Sequence, residues 1–251
     1  MEDGTLVRRL LRFRSYFDRS GGGVTFSGGE PLAQPDFLLA CLRRLKAEGV
    51  HTCLDTSGAG RGIYGEILAH TDLVLYDVKH HEPAGYKAVT GGDMAATLDF
   101  VEAVRRAGTP MWVRHVVVPG LTDSRAHLEG LRAYVDTLPH VERVELLPFH
   151  KLGAHKYEAL ERTAPLAGTP PMDRDLCRRL EREFFGSLHH NCGERKSGMK
   201  MENQAWKGFH GGEWQRSIDV RSFIQKNWTP TRGGSFLDRP HTGAPGRVGA
   251  V

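Results

Sequence analysis

Residues 21–30 read Gly-Gly-Gly-Val-Thr-Phe-Ser-Gly-Gly-Glu. The short β-branched and aromatic run Gly23–Phe26 breaks at Ser27 into a Gly28-Gly29 turn that ends on the Glu30 carboxylate. Two glycines directly after a strand let backbone N–H and C=O groups approach a ligand closely, and the adjacent carboxylate can take an ammonium group. This is a site-forming turn at the C-terminal end of a strand, so the elements around it decide what fold carries it.

Upstream, Leu6, Leu10, Phe13 and Phe17 recur at helical spacing between arginines, predicting one amphipathic helix over residues 4–19. Downstream, strand patterns recur at His51–Asp55, Leu73–Val78, Met111–Val118 and Val141–Pro148. Helical patterns separate or follow them at Pro35–Glu48, Thr97–Ala107, Ser124–Leu138 and Asp173–Phe185, the first opening on a first-turn proline. Strand and helix alternate, and each strand is a nearly continuous apolar run. That predicts an α/β fold with a parallel sheet buried on both faces, either doubly wound or curled into a barrel.

Composition narrows the class. The chain has 251 residues, 39% hydrophobic and 25% charged, with no apolar run long enough to span a membrane and no secretory leader pattern at its start, so a cytoplasmic location is expected. The formal charge of +4 belongs to the tail: residues 187–251 hold ten Lys/Arg against five Asp/Glu, leaving 24 against 25 before them. Without a basic cluster in the main body, nucleic-acid binding is not expected. Cys41, Cys53, Cys177 and Cys192 lack CxxC or CxxxCxxC spacing, so they read as core residues or scattered thiols, and neither a zinc site nor a cysteine-held cluster is expected from them.

Polar groups collect where strands end: Ser27 to Glu30, Asp55-Thr56-Ser57, Asp77-Val78-Lys79, Arg114-His115 and His150. Singly, Asp55 and Asp77 would serve as helix N-caps, Lys79 and Arg114 as solvated strand ends, and His150 as a loop histidine. Together they place carboxylates, cations and an imidazole at the C-terminal edge of successive parallel strands, where such folds build active sites.

Those same stretches carry a resemblance. Gly21 to Glu30, His51-Thr-Cys-Leu-Asp-Thr-Ser-Gly58, Thr71-Asp-Leu-Val-Leu-Tyr-Asp-Val-Lys79, Val113-Arg-His-Val-Val-Val-Pro-Gly120 and Glu145-Leu-Leu-Pro-Phe-His-Lys-Leu-Gly153 resemble the glycyl-radical-enzyme activating enzymes of the radical S-adenosylmethionine (SAM) family, those of pyruvate formate-lyase in particular. The resemblance covers nearly all of residues 1–186. It implies a partial (β/α)6 barrel in which SAM chelates a [4Fe–4S] cluster and is reductively cleaved to a radical that abstracts hydrogen from a glycine of the lyase. It also implies a flavodoxin-type electron donor. The cofactor-binding set it suggests is Gly28, Gly29, Glu30, Asp55, Thr56, Asp77, Val78, Lys79 and His150. Glycine carbonyls would meet the SAM amino group with Glu30 anchoring the loop, and Asp55, Thr56 and Asp77 would hold a monovalent cation. Lys79, Arg114 and His150 would line the reacting cavity.

In that family a CxxxCxxC motif follows the first barrel strand. Residues Met1 to Leu6 align with the helix after that point, so the first strand and the three cluster ligands are expected to be absent, the sheet edge to be uncovered, and this polypeptide alone to be inactive. The alternative reading is a cluster-less module that binds SAM or the lyase without catalysis.

Three segments are expected: the activase barrel over 1–186, a junction over 187–200, and a tail over 201–251. Residues 201–230, from Met201-Glu-Asn-Gln-Ala-Trp onward, are similar to the extreme N-terminus of pyruvate formate-lyase, a similarity that fades after Phe236. Two neighbouring reading frames joined at the junction account for this most simply. The tail is expected to be loosely held, with a short helix over 217–227 and disorder from Pro240.

Overall fold

In the computed structural model, residues 2–60, 62–151, 166–190 and 218–219 are described. Five strands follow in chain order, β1 (Gly23–Phe26), β2 (His51–Thr56), β3 (Leu73–Asp77), β4 (Met111–Val117) and β5 (Val141–Pro148). They lie side by side in that order, and every pairing is parallel. Each crossover carries helix: α3 (Pro35–Ala47) between β1 and β2, α4 (Tyr64–Leu68) between β2 and β3, α5 (Pro83–Thr90) and α6 (Ala95–Ala107) before β4, and α7 (Arg125–Thr137) before β5.

The two faces of the sheet do different work. Leu54, Val74, Tyr76, Met111 and Val113 point to one side, where they join Leu6, Leu42, Leu45, Phe100, Val104, Leu128 and Leu131 from the helices in the main core. Cys53, Leu73, Leu75 and Trp112 form a smaller buried cluster on the other face. Because side chains alternate along a strand, Asp55, Asp77 and Arg114 continue this second row at its C-terminal end. The ladder registers are Asp55 with Leu75, Asp77 with Arg114, and Arg114 with Glu145.

The strands fall within a residue of their predicted spans, and the helices before β1 differ most. Instead of one helix over 4–19 the chain forms α1 (Asp3–Leu11) and α2 (Arg14–Ser20), broken at Arg12 and Phe13. The break buries Leu6, Leu10 and Phe17 but leaves Phe13 40% exposed. Arg44 on α3 ties α1 down through Asp3, Nε to Oδ2 at 2.6 Å. Helices α4 and α5 had no sequence signal: α4 has five residues, and α5 carries Gly85, Val89 and Thr90, all weak helix formers. The last helix, α8 (Arg174–His190), continues past Phe185 and packs on β5, where the Leu146 amide donates to Glu181 at 2.8 Å and the Cys177 thiol to the Leu146 carbonyl at 3.4 Å.

The outer edge of β1, expected to be uncovered, carries β6 (Ile218–Asp219), which pairs in parallel with Val24 and Thr25. These two residues are therefore strand, where a helix over 217–227 was expected. An edge strand offers a row of unpaired N–H and C=O groups that any extended segment can satisfy, and the β-branched Ile218 suits that role. The rest of the tail and residues 191–200 of the junction lie outside the described residues.

Candidate functional site

Four adjacent strand ends build the site. At the first, Gly28 takes φ +139°, in the range open to glycine, and a Cβ added at Gly28 or Gly29 would meet nothing within 4 Å. The turn is therefore bare backbone facing open space. Glu30 holds it in place. Its Oε1 accepts from the Leu32 amide at 3.1 Å and the Thr56 hydroxyl at 2.5 Å, and its Oε2 from the Ser57 amide at 3.0 Å and the Ser57 hydroxyl at 2.7 Å. Four donors fill the carboxylate's lone-pair sites, so Glu30 works as the pin between the β1 turn and the end of β2, and its capacity for an ammonium group is spent.

Next to this turn runs a chain of charges. The Ser27 hydroxyl donates to Asp55 Oδ2 at 3.0 Å. Arg114 Nη2 bonds Asp55 Oδ1 and lies 2.8 Å from Asp77 Oδ1, while its Nε donates to the same Asp77 oxygen at 2.9 Å. Lys79 Nζ reaches Asp77 Oδ2 at 3.3 Å. Neither aspartate caps a helix. Burial pushes the Asp55 carboxyl above its ordinary range, with the Arg114 charge pulling against it. For Arg114 burial opposes the charge, but Asp77 and Asp55 together outweigh it and raise the guanidinium further.

The remaining expected residues are placed differently. Thr56 commits its hydroxyl to the turn, donating to Glu30 and accepting from the Gly58 amide at 2.9 Å. The expected cation position between Asp55 and Asp77 is held by the Arg114 guanidinium. Val78 sends its side chain into the core and uses both main-chain groups, its amide donating to the Arg114 carbonyl at 2.9 Å and its carbonyl accepting from His115 Nδ1 at 2.8 Å. His150 is exposed and lies two residues past the end of β5, five beyond Glu145, the register partner of Arg114. The structure thus unites Asp55, Asp77, Lys79 and Arg114 beside the Gly28-Gly29 turn, with His150 in the exposed segment that follows β5.

Three contributors carried no sequence assignment. Ser27 and Ser57 fix the two carboxylates, and their only signal was their position beside Gly28 and Thr56. Glu145 is buried next to Arg114 and pairs with Arg143 at 2.7 Å; burial, opposed by the two arginines, raises its carboxyl.

The family model of the radical SAM superfamily matches residues 3–129. The chain is 50% identical over 177 residues to the pyruvate formate-lyase-activating enzyme of Clostridium pasteurianum, covering 70% of this chain and 74% of that one. With the enzyme of the same name from Staphylococcus epidermidis it shares 39% over 192 residues, covering 73% and 76%. The chain belongs to the radical SAM superfamily, among the pyruvate formate-lyase-activating enzymes. A crystal structure of a domain of the Bacteroides vulgatus enzyme matches with a TM-score of 0.51 at 22% identity, over 68% of this chain and 95% of that one, which supports the partial-barrel fold alone. Among the described residues no helix is long and apolar enough to cross a membrane.

Radical SAM membership implies SAM and a [4Fe–4S] cluster, and the residues present fit the two groups unequally. The open faces of Gly28 and Gly29, beside half-buried carboxylates and cations, suit a zwitterionic ligand with an amino and a carboxylate group. Among the described residues no cysteine set suits the cluster. The nearest pair in sequence, Cys41 and Cys53, stands twelve positions apart. Cys41 is buried on α3, Cys53 sits with Leu73 and Trp112, and Cys177 packs on β5. Burial pushes the Cys41 and Cys53 thiols up to about 12 and that of Cys177 to about 11, far from thiolate ligands. Cys192 lies outside the described residues.

Proposed function

We propose that this chain binds SAM across the C-terminal ends of β1 to β4 and serves the activation of pyruvate formate-lyase, the lyase's glycyl-radical loop being its macromolecular partner. The observation that carries this reading is the Asp55–Arg114–Asp77–Lys79 charge chain lying beside a glycine turn that Glu30 pins open. In it, the Gly28 and Gly29 main chain meets the SAM amino group, Lys79 neutralises the SAM carboxylate, and Arg114 and His150 line the space through which the lyase loop enters. A monovalent cation at Asp55, Thr56 and Asp77 would compete with the Arg114 guanidinium for the two carboxylates. Residues 1–186 form the working unit, with 187–200 as junction and 201–251 as a separate segment resembling the lyase N-terminus.

When bound together, SAM and the cluster supply the radical; in this family a flavodoxin-type donor supplies the electron. Among the described residues no cysteine set fits the cluster, so no step is derived through it and the chain on its own is read as a binding module for SAM and the lyase. Two outcomes are expected. Titration calorimetry gives saturable SAM binding that Asp77→Ala weakens at least about tenfold, a loss of about 1.4 kcal/mol, and equal affinities for the two proteins would contradict the site. Anaerobic treatment with iron and sulfide gives no cluster absorption band and no 5′-deoxyadenosine, and formation of both would overturn the reading of the chain as non-catalytic.

A further inference from the structure

Behind Lys79, on the helix-covered face of the sheet, four histidines gather. His80 and His81 follow β3, His115 lies on β4 one residue past Arg114, and His127 stands in the first turn of α7. The His80 and His81 rings stack at 4.8 Å between centroids, and His127 meets them edge-on at 4.8 and 4.7 Å. One ring nitrogen from each of His80, His81 and His127 lies within 4.8 Å of the others. His115 stacks on His127 at 5.2 Å, with the two Nε2 atoms 3.2 Å apart.

Two glycines make the space. A Cβ built on Gly85 of α5 would overlap the His80 ring, and one on Gly130 of α7 would overlap the His81 ring. The imidazoles therefore press directly on helix backbone, in a cradle that any larger residue would fill. His81 Nδ1 is buried there with no hydrogen-bond partner among the described residues, although its side chain is only 12% exposed. An orphaned buried nitrogen is unfavourable unless something takes its lone pair or proton.

The tautomers follow from the partners. The Val78 carbonyl can only accept, so His115 carries its proton on Nδ1 and presents a bare Nε2. His127 then donates from Nε2, which leaves the lone pair on its Nδ1. His80 Nδ1 accepts from the exposed Glu82 amide at 3.0 Å, so that nitrogen also has a lone pair, and the amide can turn to water if it is displaced. Carbonyl to imidazole to imidazole is the outer-shell arrangement that orients metal-ligating histidines. The surrounding charges are few: Lys79, engaged with Asp77, and the Glu82 carboxylate, 3.9 Å from His81 Nε2. Burial holds His115 down at about 4 and His127 at about 3, and lowers His81, so these rings are neutral at physiological pH.

We propose that His80, His81 and His127 form a binding site for a zinc-class divalent cation, with His115 orienting His127. Neutral imidazole triads suit zinc, cobalt, nickel and copper, and the fourth position falls to water or Glu82. Bound metal would tie the segment carrying Asp77 and Lys79 to α7, and so brace one wall of the SAM site from behind. The proposal stands on the histidine geometry and is independent of what the other face binds.

The test uses the full chain, stripped with chelator and titrated with Zn2+ against a chromophoric competitor. One tight equivalent is expected, weakened at least about 100-fold by His81→Asn and about 10–100-fold by His115→Asn, while His140→Asn on the surface changes nothing. X-ray absorption of the wild-type zinc adduct, which needs no variant to fold, should show imidazole nitrogens at about 2.0–2.1 Å. Zinc affinity unchanged in the His81→Asn/His127→Asn double variant, or a first shell containing sulfur, would overturn the assignment.

Discussion

Arg114→Ala is expected to destabilise the fold by about 3–5 kcal/mol, the cost of removing one partner from a buried ion pair. The guanidinium side chain is 13% exposed and bridges carboxylates that are 19% and 26% exposed. One nitrogen, Nη2, serves both Asp55 and Asp77, so without it two half-buried anions face each other across the space it filled. Asp55, already raised by burial, is the group expected to take up a proton. The loss should therefore be coupled: adding Asp55→Asn to Arg114→Ala removes the repulsion and restores most of the stability. Urea denaturation of the wild type, both single variants and the double variant checks this. A drop below about 1 kcal/mol for Arg114→Ala, or no recovery in the double variant, would show that the three side chains do not act as one unit.

The second large effect falls on Glu30. Glu30→Ala removes the acceptor for two amides and two hydroxyls at once, three of them from the end of β2. Hydrogen bonds to a charged acceptor contribute about 1.5–3 kcal/mol each, discounted here because Glu30 and Ser57 are partly exposed, so a total near 3 kcal/mol is expected. Ligand binding should suffer beyond that: with the pin gone the Gly28-Gly29 turn is free to sample other conformations, and SAM affinity should fall more than tenfold even where the variant is fully folded. Glu30→Gln, which keeps one accepting oxygen, should lie between the two. Calorimetry at a temperature where both variants remain folded separates the effects. Unaltered SAM affinity in Glu30→Ala would mean that the glycine turn holds its shape unaided.

The legible part of this molecule was the part written in strand periodicity. Asp55, Asp77 and Arg114 each end or follow an apolar run, and parallel neighbours in sequential order bring such positions together on one face. The placement of His150 is less legible, because it lies two residues past the last β4–β5 register pair, Val117 with Pro148, where strand periodicity no longer fixes direction. Glu30 left two uses open, and the deciding donors, Thr56 and Ser57, arrive from 26 and 27 residues away. The pairing of Ile218–Asp219 with β1 has no periodic signal at all; it follows from the hydrogen-bonding demand of an open edge. The histidine cluster was hidden for a related reason. Its members come from a loop, a strand and a helix, and they meet only because Gly85 and Gly130 let two helices close over the rings.

The central claim is that SAM lies across the glycine turn and the β2 and β3 ends, and amide hydrogen exchange of the full chain with and without saturating SAM tests it most directly. Slowed exchange confined to Ser27 to Glu30, Asp55 to Gly58 and Asp77 to Lys79 is the predicted result. Protection elsewhere in the chain, or none at these amides while SAM is bound, would contradict it.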